Sequence, residues 1–154
     1  MGKSIKLPSF ENHFGLLIEQ ISIVVQKKVL NDLKQRGIQI NFSEFLMLLM
    51  LASNDEGLSQ KQISEKLLKD KAMVTRFVNH LETLQLVTRK QSQEDGRSYK
   101  VSVTTKGLRM VQSLDEIMVP FENRFIQSIS KSDFLVFNSV LAKLLDHAKK
   151  SLNP

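Results

Sequence analysis

The chain has 154 residues, the length of one ordinary domain, and its 42% hydrophobic and 25% charged residues are typical of a globular chain in water. It contains no cysteine, which excludes disulfide bonds, a thiolate zinc site and a cysteine redox switch. The longest apolar run, 45–52, is far shorter than the roughly 20 residues that cross a bilayer, and no apolar run follows the basic N-terminal residues as in a signal peptide. We therefore expect a cytoplasmic protein with no membrane partner.

The basic residues are concentrated in one part of the sequence. The formal net charge is +6. Residues 60–100 carry nine Lys and Arg against five Asp and Glu, a net +4, whereas residues 1–59 carry six against six. A local basic excess is the electrostatic footprint of a nucleic-acid-binding surface. From charge alone, a basic face that only contacts solvent is an equally good interpretation.

Two helices are predicted in the first third of the chain. Apolar residues recur at three- and four-residue steps over 10–36, the period of an amphipathic helix, and Gly37 is a suitable helix stop. Ser43 is then expected to cap a second, strongly apolar helix. That helix is expected to end near Ser53, before a polar turn.

The next segment has the pattern of a helix-turn-helix. Ser59 and Gln62 have the spacing of a capping box, which opens a helix that is expected to run to about Leu68. Asp70 is a good N-cap for a further helix, Lys71–Gln85. Two short helices joined by so tight a turn are typical of this motif.

A change of period predicts a β-hairpin after these helices. Leu86–Lys90 has strand-like composition, and Ser98–Val103 alternates with Tyr99, Val101 and Val103 on one face. The polar segment between them forms a charged tip. A hairpin directly after a helix-turn-helix is a wing.

The helical period returns at Thr105. Pro120 falls inside this pattern and is expected to kink or split the helix, because proline lacks the backbone N–H and clashes with the preceding turn. Ser130 or Ser132 is expected to cap a last helix.

These elements together predict a fold that is mainly α with a small β-hairpin wing (α+β). We expect a DNA-binding lobe over 40–107 and helical dimerisation regions over 8–37 and 108–152.

The predicted helix over 71–85 has two separate stripes. One is apolar and core-facing, and the other is offset from it by two residues. Arg pairs well with guanine, Asn pairs with adenine, and Thr or Ala contacts a thymine methyl, so the second stripe suits base reading. The alternative is a solvated face with incidental polar residues. Because such helices read with their N-terminal part, the candidate base-reading residues are Lys71, Ala72, Met73, Thr75, Arg76 and Asn79.

The predicted wing carries further candidates. Arg97 lies at the tip, where arginine is favoured in a narrow minor groove. Arg89, Lys90 and Lys100 are placed to contact phosphate, which positions a protein without specifying sequence. Asp95 would repel phosphate, so we expect it either to orient the wing by pairing with an arginine or to serve only as a turn residue.

The terminal helices have more apolar surface than one small winged helix can cover. Unpartnered apolar patches of that size usually mark an interface, which predicts a homodimer. The residues expected there are Phe10, Phe14, Phe134, Phe137, Leu141 and Leu145.

Five motifs occur in order along the chain: Asn41–Phe45, Leu58–Ser64, Asp70–Arg76, Leu81–Val87, and Asp95–Ser98 followed by Val101–Gly107. With these motifs the chain over 42–111 resembles the MarR family of bacterial regulators, the multiple-antibiotic-resistance regulators. The resemblance implies a dimer built from the terminal helices, with recognition helices in major grooves and wings on minor grooves. It also implies binding to a pseudo-palindromic double-stranded DNA operator, usually repression, and often a small anionic or aromatic effector.

Three positions depart from the family pattern. Leu68–Lys69 replaces a common glycine and hydrophobic pair, Gln85 stands where glycine is common, and Val103 stands where leucine is common. The first two affect turns, so they bear on the docking angle rather than on the fold.

No other chemistry is indicated. His13, His80 and His147 lack metal-ligand spacing and are expected on helix surfaces, and the sequence has neither a phosphate-binding glycine loop nor a catalytic triad pattern. No cofactor, no metal and no enzymatic activity are expected. The alternative to a DNA-binding regulator is a winged-helix module that binds protein.

Overall fold

The computed structural model describes residues 13–91 and 99–152. The expected interface residue Phe10 and the wing-tip residues Asp95 and Arg97 lie outside these ranges. In chain order the elements are α1 (Phe14–Gln35), α2 (Phe42–Ala52), β1 (Leu58–Ser59), α3 (Gln60–Leu67), α4 (Lys71–Thr83), β2 (Val87–Gln91), β3 (Tyr99–Val103), α5 (Thr105–Ile126) and α6 (Lys131–Leu152).

The chain divides into two compact units, one ending at Val111 and one beginning at Gln112. The first unit has a core to which every helix from α1 to α4 contributes. Its apolar side chains are removed from water, which is the main driving force for folding. The fully buried members include Val29, Leu33, Met47, Leu48, Leu51, Ile63, Val74, Val78, Leu81 and Val101.

Hydrogen bonds to the backbone define the end of α1 and the start of α2. Gly37 has a φ of 72°, and after it the N–H of Ile38 donates to Leu33 at 2.9 Å. This is a Schellman ending, and it confirms Gly37 as the stop. The predicted cap at Ser43 is wrong, because Asn41 accepts from the N–H of Glu44 at 3.0 Å. The Glu44 carboxylate returns a bond to the N–H of Asn41, so the capping box begins α2 two residues earlier.

The predicted helix-turn-helix is confirmed. Ser59 and Gln62 form the expected capping box, and Asp70 accepts from the N–H of Met73 at 2.7 Å at the start of α4. Between the helices, Leu68 has a φ of 53° and closes α3 in the left-handed conformation. At the other end of α4, Gln85 has a φ of 60°. Both residues that replace the family's common glycines are therefore in the conformation that favours glycine.

The wing strands pair as predicted and gain a third strand. β2 and β3 are antiparallel, with Val87 opposite Val103 and Lys90 opposite Lys100. The two-residue strand β1, which the sequence analysis did not predict, pairs with the other edge of β3. Gly57, just before β1, has a φ of 72°, and a Cβ there would lie 2.7 Å from the carbonyl oxygen of Val101. Only glycine allows the two backbones to approach so closely.

Pro120 was expected to kink or split the helix, and the split is wrong, since α5 continues through this position to Ile126. One proline removes one backbone donor, and the remaining hydrogen bonds of a 22-residue helix keep it continuous. In the second unit, Ser130 rather than Ser132 caps α6, because its hydroxyl accepts from the N–H of Asp133 at 3.1 Å.

We expect Gln85→Gly to stabilise the protein. The substitution relieves the strain of a left-handed residue, worth roughly 1–2 kcal/mol, and adds unfolded-state entropy worth roughly 0.4–1 kcal/mol. The net gain in free energy of unfolding should be about 0.5–1 kcal/mol. Urea denaturation measures it. Gln85→Ala keeps the Cβ and should give no gain, so equal gains in the two variants would contradict this explanation.

Candidate nucleic-acid interface

The helix α4 presents two faces of different chemistry. Val74, Val78 and Leu81 are fully buried on one side. On the other side, Lys71, Ala72, Arg76 and Asn79 are exposed, whereas Met73 is half-buried. Four of the six predicted base-reading residues are therefore accessible on one surface of α4. Among them, Lys71, Arg76 and Asn79 carry hydrogen-bond donors that match base edges.

Thr75 is the least free of the predicted base-reading residues. It is half-buried, and its hydroxyl lies 3.0 Å from Gln60 Oε1 and 2.9 Å from the carbonyl oxygen of Lys71. The hydroxyl has one proton to donate, and both acceptors compete for it. The contact with Gln60 ties the recognition helix to the start of α3. Thr75 is thus better placed to offer its methyl group than its hydroxyl to a base.

Arg89 joins the wing to α4. Its Nη1 donates to Glu82 Oε2 in an ion pair, and its Nη2 donates to Asn79 Oδ1 at 2.6 Å. Glu82 Oε1 also accepts from the backbone N–H of Arg89 at 3.0 Å. The Glu82 and Arg89 side chains are only 30% and 26% exposed. The sequence pattern predicted a phosphate contact for Arg89, and nothing in the sequence alone indicated that α4 holds its guanidinium.

The two wing lysines lie opposite each other. Lys90 on β2 is exposed and is in register with Lys100 on β3. Lys100 is half-buried, and its Nζ lies 3.9 Å from Glu56 Oε2. Directly opposed like charges destabilise a hairpin, and the Glu56 carboxylate near Lys100 offsets part of that repulsion.

The base of the wing is held by the segment that follows β3. The Thr104 hydroxyl donates to the carbonyl oxygen of Gln85 at 2.7 Å and accepts from the N–H of Gly107 at 3.1 Å. Lys106 Nζ donates to the carbonyl oxygen of Leu84 at 2.8 Å, where a cation stabilises the C-terminal end of the α4 dipole. Sequence reasoning found this segment only as part of a family motif.

A buried carboxylate connects α4 to α2. Glu44 is 3% exposed. Its Oε2 accepts from the N–H of Asn41 and its Oε1 lies 2.8 Å from His80 Nδ1. His80 does lie at a helix surface, as expected for the histidines, but it also bonds to a buried group. The spacing of Asn41 and Glu44 was the signal that could have revealed the capping box.

Within residues 13–91 and 99–152, no three His, Asp or Glu side chains are grouped as metal ligands would be. None of the helices described there combines the length and the apolar character needed to cross a membrane.

A helix-turn-helix with an exposed polar face on its second helix, followed by a β-hairpin, defines a winged helix-turn-helix protein. A model of the MarR family matches residues 36–98. The chain is 28% identical over 134 residues to the HTH-type transcriptional regulator PapX of Escherichia coli, covering 85% of this chain and 82% of PapX. Over residues 36–98 the chain is therefore similar to the MarR family.

Two solved structures share the fold. The S. aureus MepR–DNA complex matches with a TM-score of 0.76 and 23% identity, covering 88% of this chain and 98% of MepR. CouR from Rhodococcus jostii RHA1, bound to p-coumaroyl-CoA, matches with a TM-score of 0.79 and 18% identity, covering 90% of this chain and 95% of CouR. The winged-helix fold expected from the sequence is therefore confirmed.

We expect Thr104→Val to lower the free energy of unfolding by about 1–2 kcal/mol, because it removes the hydroxyl that caps α5 and bonds to the base of the wing. Thr104→Ser keeps the hydroxyl and should stay within about 0.5 kcal/mol of the parent. Urea denaturation of the three proteins makes the comparison. A valine variant as stable as the parent would contradict this role of the hydroxyl.

Proposed function

We propose that this protein is a sequence-specific DNA-binding transcriptional regulator that acts as a homodimer on a pseudo-palindromic operator. The observation that carries the proposal is the exposed polar face of α4, opposite a fully buried apolar stripe. The name of PapX, an HTH-type transcriptional regulator, and the DNA complex of MepR support it. A regulator of this kind works where the chromosome is, which places it in the cytoplasm.

The predicted DNA contacts fall into three groups. Arg76 lies in the exposed face of α4 and reads guanine in the major groove, while Lys71 at the first turn reads an adjacent base edge. Lys90 and Lys100 approach phosphate. At the wing tip, the role of Arg97 in the minor groove and of Asp95 in orienting the wing rests on the family resemblance.

The exposed apolar residues of α1 and α6 support the homodimer. Phe14, on α1, is 66% exposed, and so much exposed aromatic surface is unusual unless a partner covers it. The interface residues expected from the sequence on α6 include Phe137 and Leu145, which are exposed, and Phe134 and Leu141, which are half-buried. Further large apolar residues that α6 exposes are Leu135, Val136, Val140 and Leu144.

We propose further that the protein represses transcription and responds to a small anionic or aromatic effector. The support is the family, together with CouR, whose bound p-coumaroyl-CoA is both anionic and aromatic. Because a regulator of this class uses binding and not turnover, no enzymatic activity is included in the proposal.

Selection from a randomised duplex library tests DNA reading. The protein should enrich an inverted repeat, and Arg76→Ala should lose base preference at one position of each half-site, because a bidentate arginine–guanine pair contributes roughly 1–3 kcal/mol of discrimination. Arg36→Ala removes the same side chain from the end of α1 and should keep all preferences. A protein that enriches no sequence would favour the protein-binding winged-helix module instead.

Sedimentation tests the dimer. At micromolar concentration the mass should be twice the 17.6 kDa of one chain. Leu144→Lys places a charge among the exposed apolar residues of α6 and should shift the protein towards monomer, since an unpaired charge at the core of an interface is costly. Ser139→Lys adds the same charge at a polar position of that helix and should remain dimeric. A stable parent monomer would refute the dimer.

A further inference from the structure

The amide of Asn79 has a fixed orientation. Its Oδ1 lies 2.6 Å from Arg89 Nη2. A guanidinium has donors and no acceptor, so only the oxygen end of the amide can face it. The nitrogen end, with its two N–H groups, therefore points away from Arg89. Because Asn79 is exposed on the face of α4 that carries Arg76, these donors are available to a partner.

Arg89 is itself held in place by α4. Glu82 lies three residues after Asn79, so both side chains lie on one side of the helix. The Glu82 carboxylate accepts from the guanidinium and from the backbone N–H of Arg89 together. Side chain and main chain of Arg89 are thus fixed by the same group, and the guanidinium reaches Asn79 in a defined position. Charged hydrogen bonds of this kind are stronger than neutral ones.

We infer that Asn79 reads its base as a hydrogen-bond donor only, and that Arg89 is the positioning residue that imposes this mode. The inference rests on the proposed function. A free asparagine amide pairs with adenine through both ends, donating to N7 and accepting from the N6 amine. A bidentate pair needs both ends of the amide turned to one base edge; with the oxygen turned towards Arg89, the amide presents only its N–H groups to a base. N7 is an acceptor in both adenine and guanine, so a donor that reaches N7 does not distinguish the two purines.

The same geometry changes the task expected of Arg89. A phosphate contact would need a guanidinium directed outward, and that contact would contribute to the salt dependence of binding. The ion pair with Glu82 directs the guanidinium to α4 instead. Lys90, the next residue on β2, is exposed and provides the matched comparison, because it carries the same charge on the same strand.

The test uses the full chain in library selection, with binding to the selected operator measured across a salt series. The parent should accept adenine and guanine at one position of each half-site, and Asn79→Ala should lose the purine preference there. Arg89→Met frees the amide oxygen and should shift that position towards adenine by about fivefold or more. Its salt slope should stay that of the parent. Lys90→Met should keep all base preferences and lower the slope by about 0.9 for each phosphate that the variant no longer neutralises.

Glu82→Gln is the second variant. It keeps the shape of the side chain, removes the charge that holds Arg89, and should shift the same position towards adenine by a smaller factor. It replaces Arg89→Met in the test if a melting curve shows that Arg89→Met does not fold.

Four results would overturn the inference. The first is a parent that already selects adenine alone at this operator position, and the second is an unchanged base preference in Asn79→Ala. The third is an unchanged adenine-to-guanine ratio in the folded Arg89→Met or Glu82→Gln variant, and the fourth is a salt slope in Arg89→Met that falls as far as in Lys90→Met. A parent that enriches no sequence would instead remove the proposed function, and the inference with it.

Discussion

The placement of the wing depends on the three carbonyl groups of residues 84–86. Each accepts a hydrogen bond from the segment after β3: Leu84 from the Lys106 ammonium, Gln85 from the Thr104 hydroxyl, and Leu86 from the Thr104 N–H. These carbonyls lie at and just after the end of α4, where an α-helix leaves acceptors unsatisfied. These bonds therefore tie the end of α4 to the start of β2 and to the start of α5. A small displacement here would move both DNA-facing elements together.

The left-handed residue Gln85 makes this arrangement possible at a local cost. A φ of 60° turns the chain out of α4 so that Leu86 donates to Leu81 at 2.9 Å and β2 starts at once. Glycine would adopt the same conformation without strain. The connection keeps its geometry because surrounding hydrogen bonds outweigh the strain of one residue. The glutamine thus alters stability more than it alters the position of the wing.

Sequence patterns predicted the elements well and their tertiary partners poorly. The helices of the DNA-binding lobe followed from apolar spacing and from the caps at Ser59 and Asp70, which are local signals. β1 was missed because two residues carry no period, and its partner strand lies some 40 residues later. Glu82 and Arg89 are only seven residues apart, and their pairing was missed because it exists only once β2 packs against α4. Caps and periods are encoded nearby, whereas the assignment of a charge to a partner is a property of the fold.

This distinction limits what a charge count says about a DNA interface. The nine basic and five acidic residues of 60–100 already include both Arg89 and Glu82. The attraction of this net charge for a polyanion is therefore the same whether or not the two residues form an ion pair. Long-range steering depends on this sum.

Direct contact depends on which groups face outward, and here the sequence count overstates the number of basic side chains that can touch DNA. Arg89 is turned to α4, whereas Arg76 and Lys90 are exposed. Two basic residues of equal formal charge, adjacent on one strand, therefore differ in their surroundings: Lys90 contributes charge at the surface, whereas the Arg89 guanidinium is hydrogen-bonded to Glu82 and Asn79.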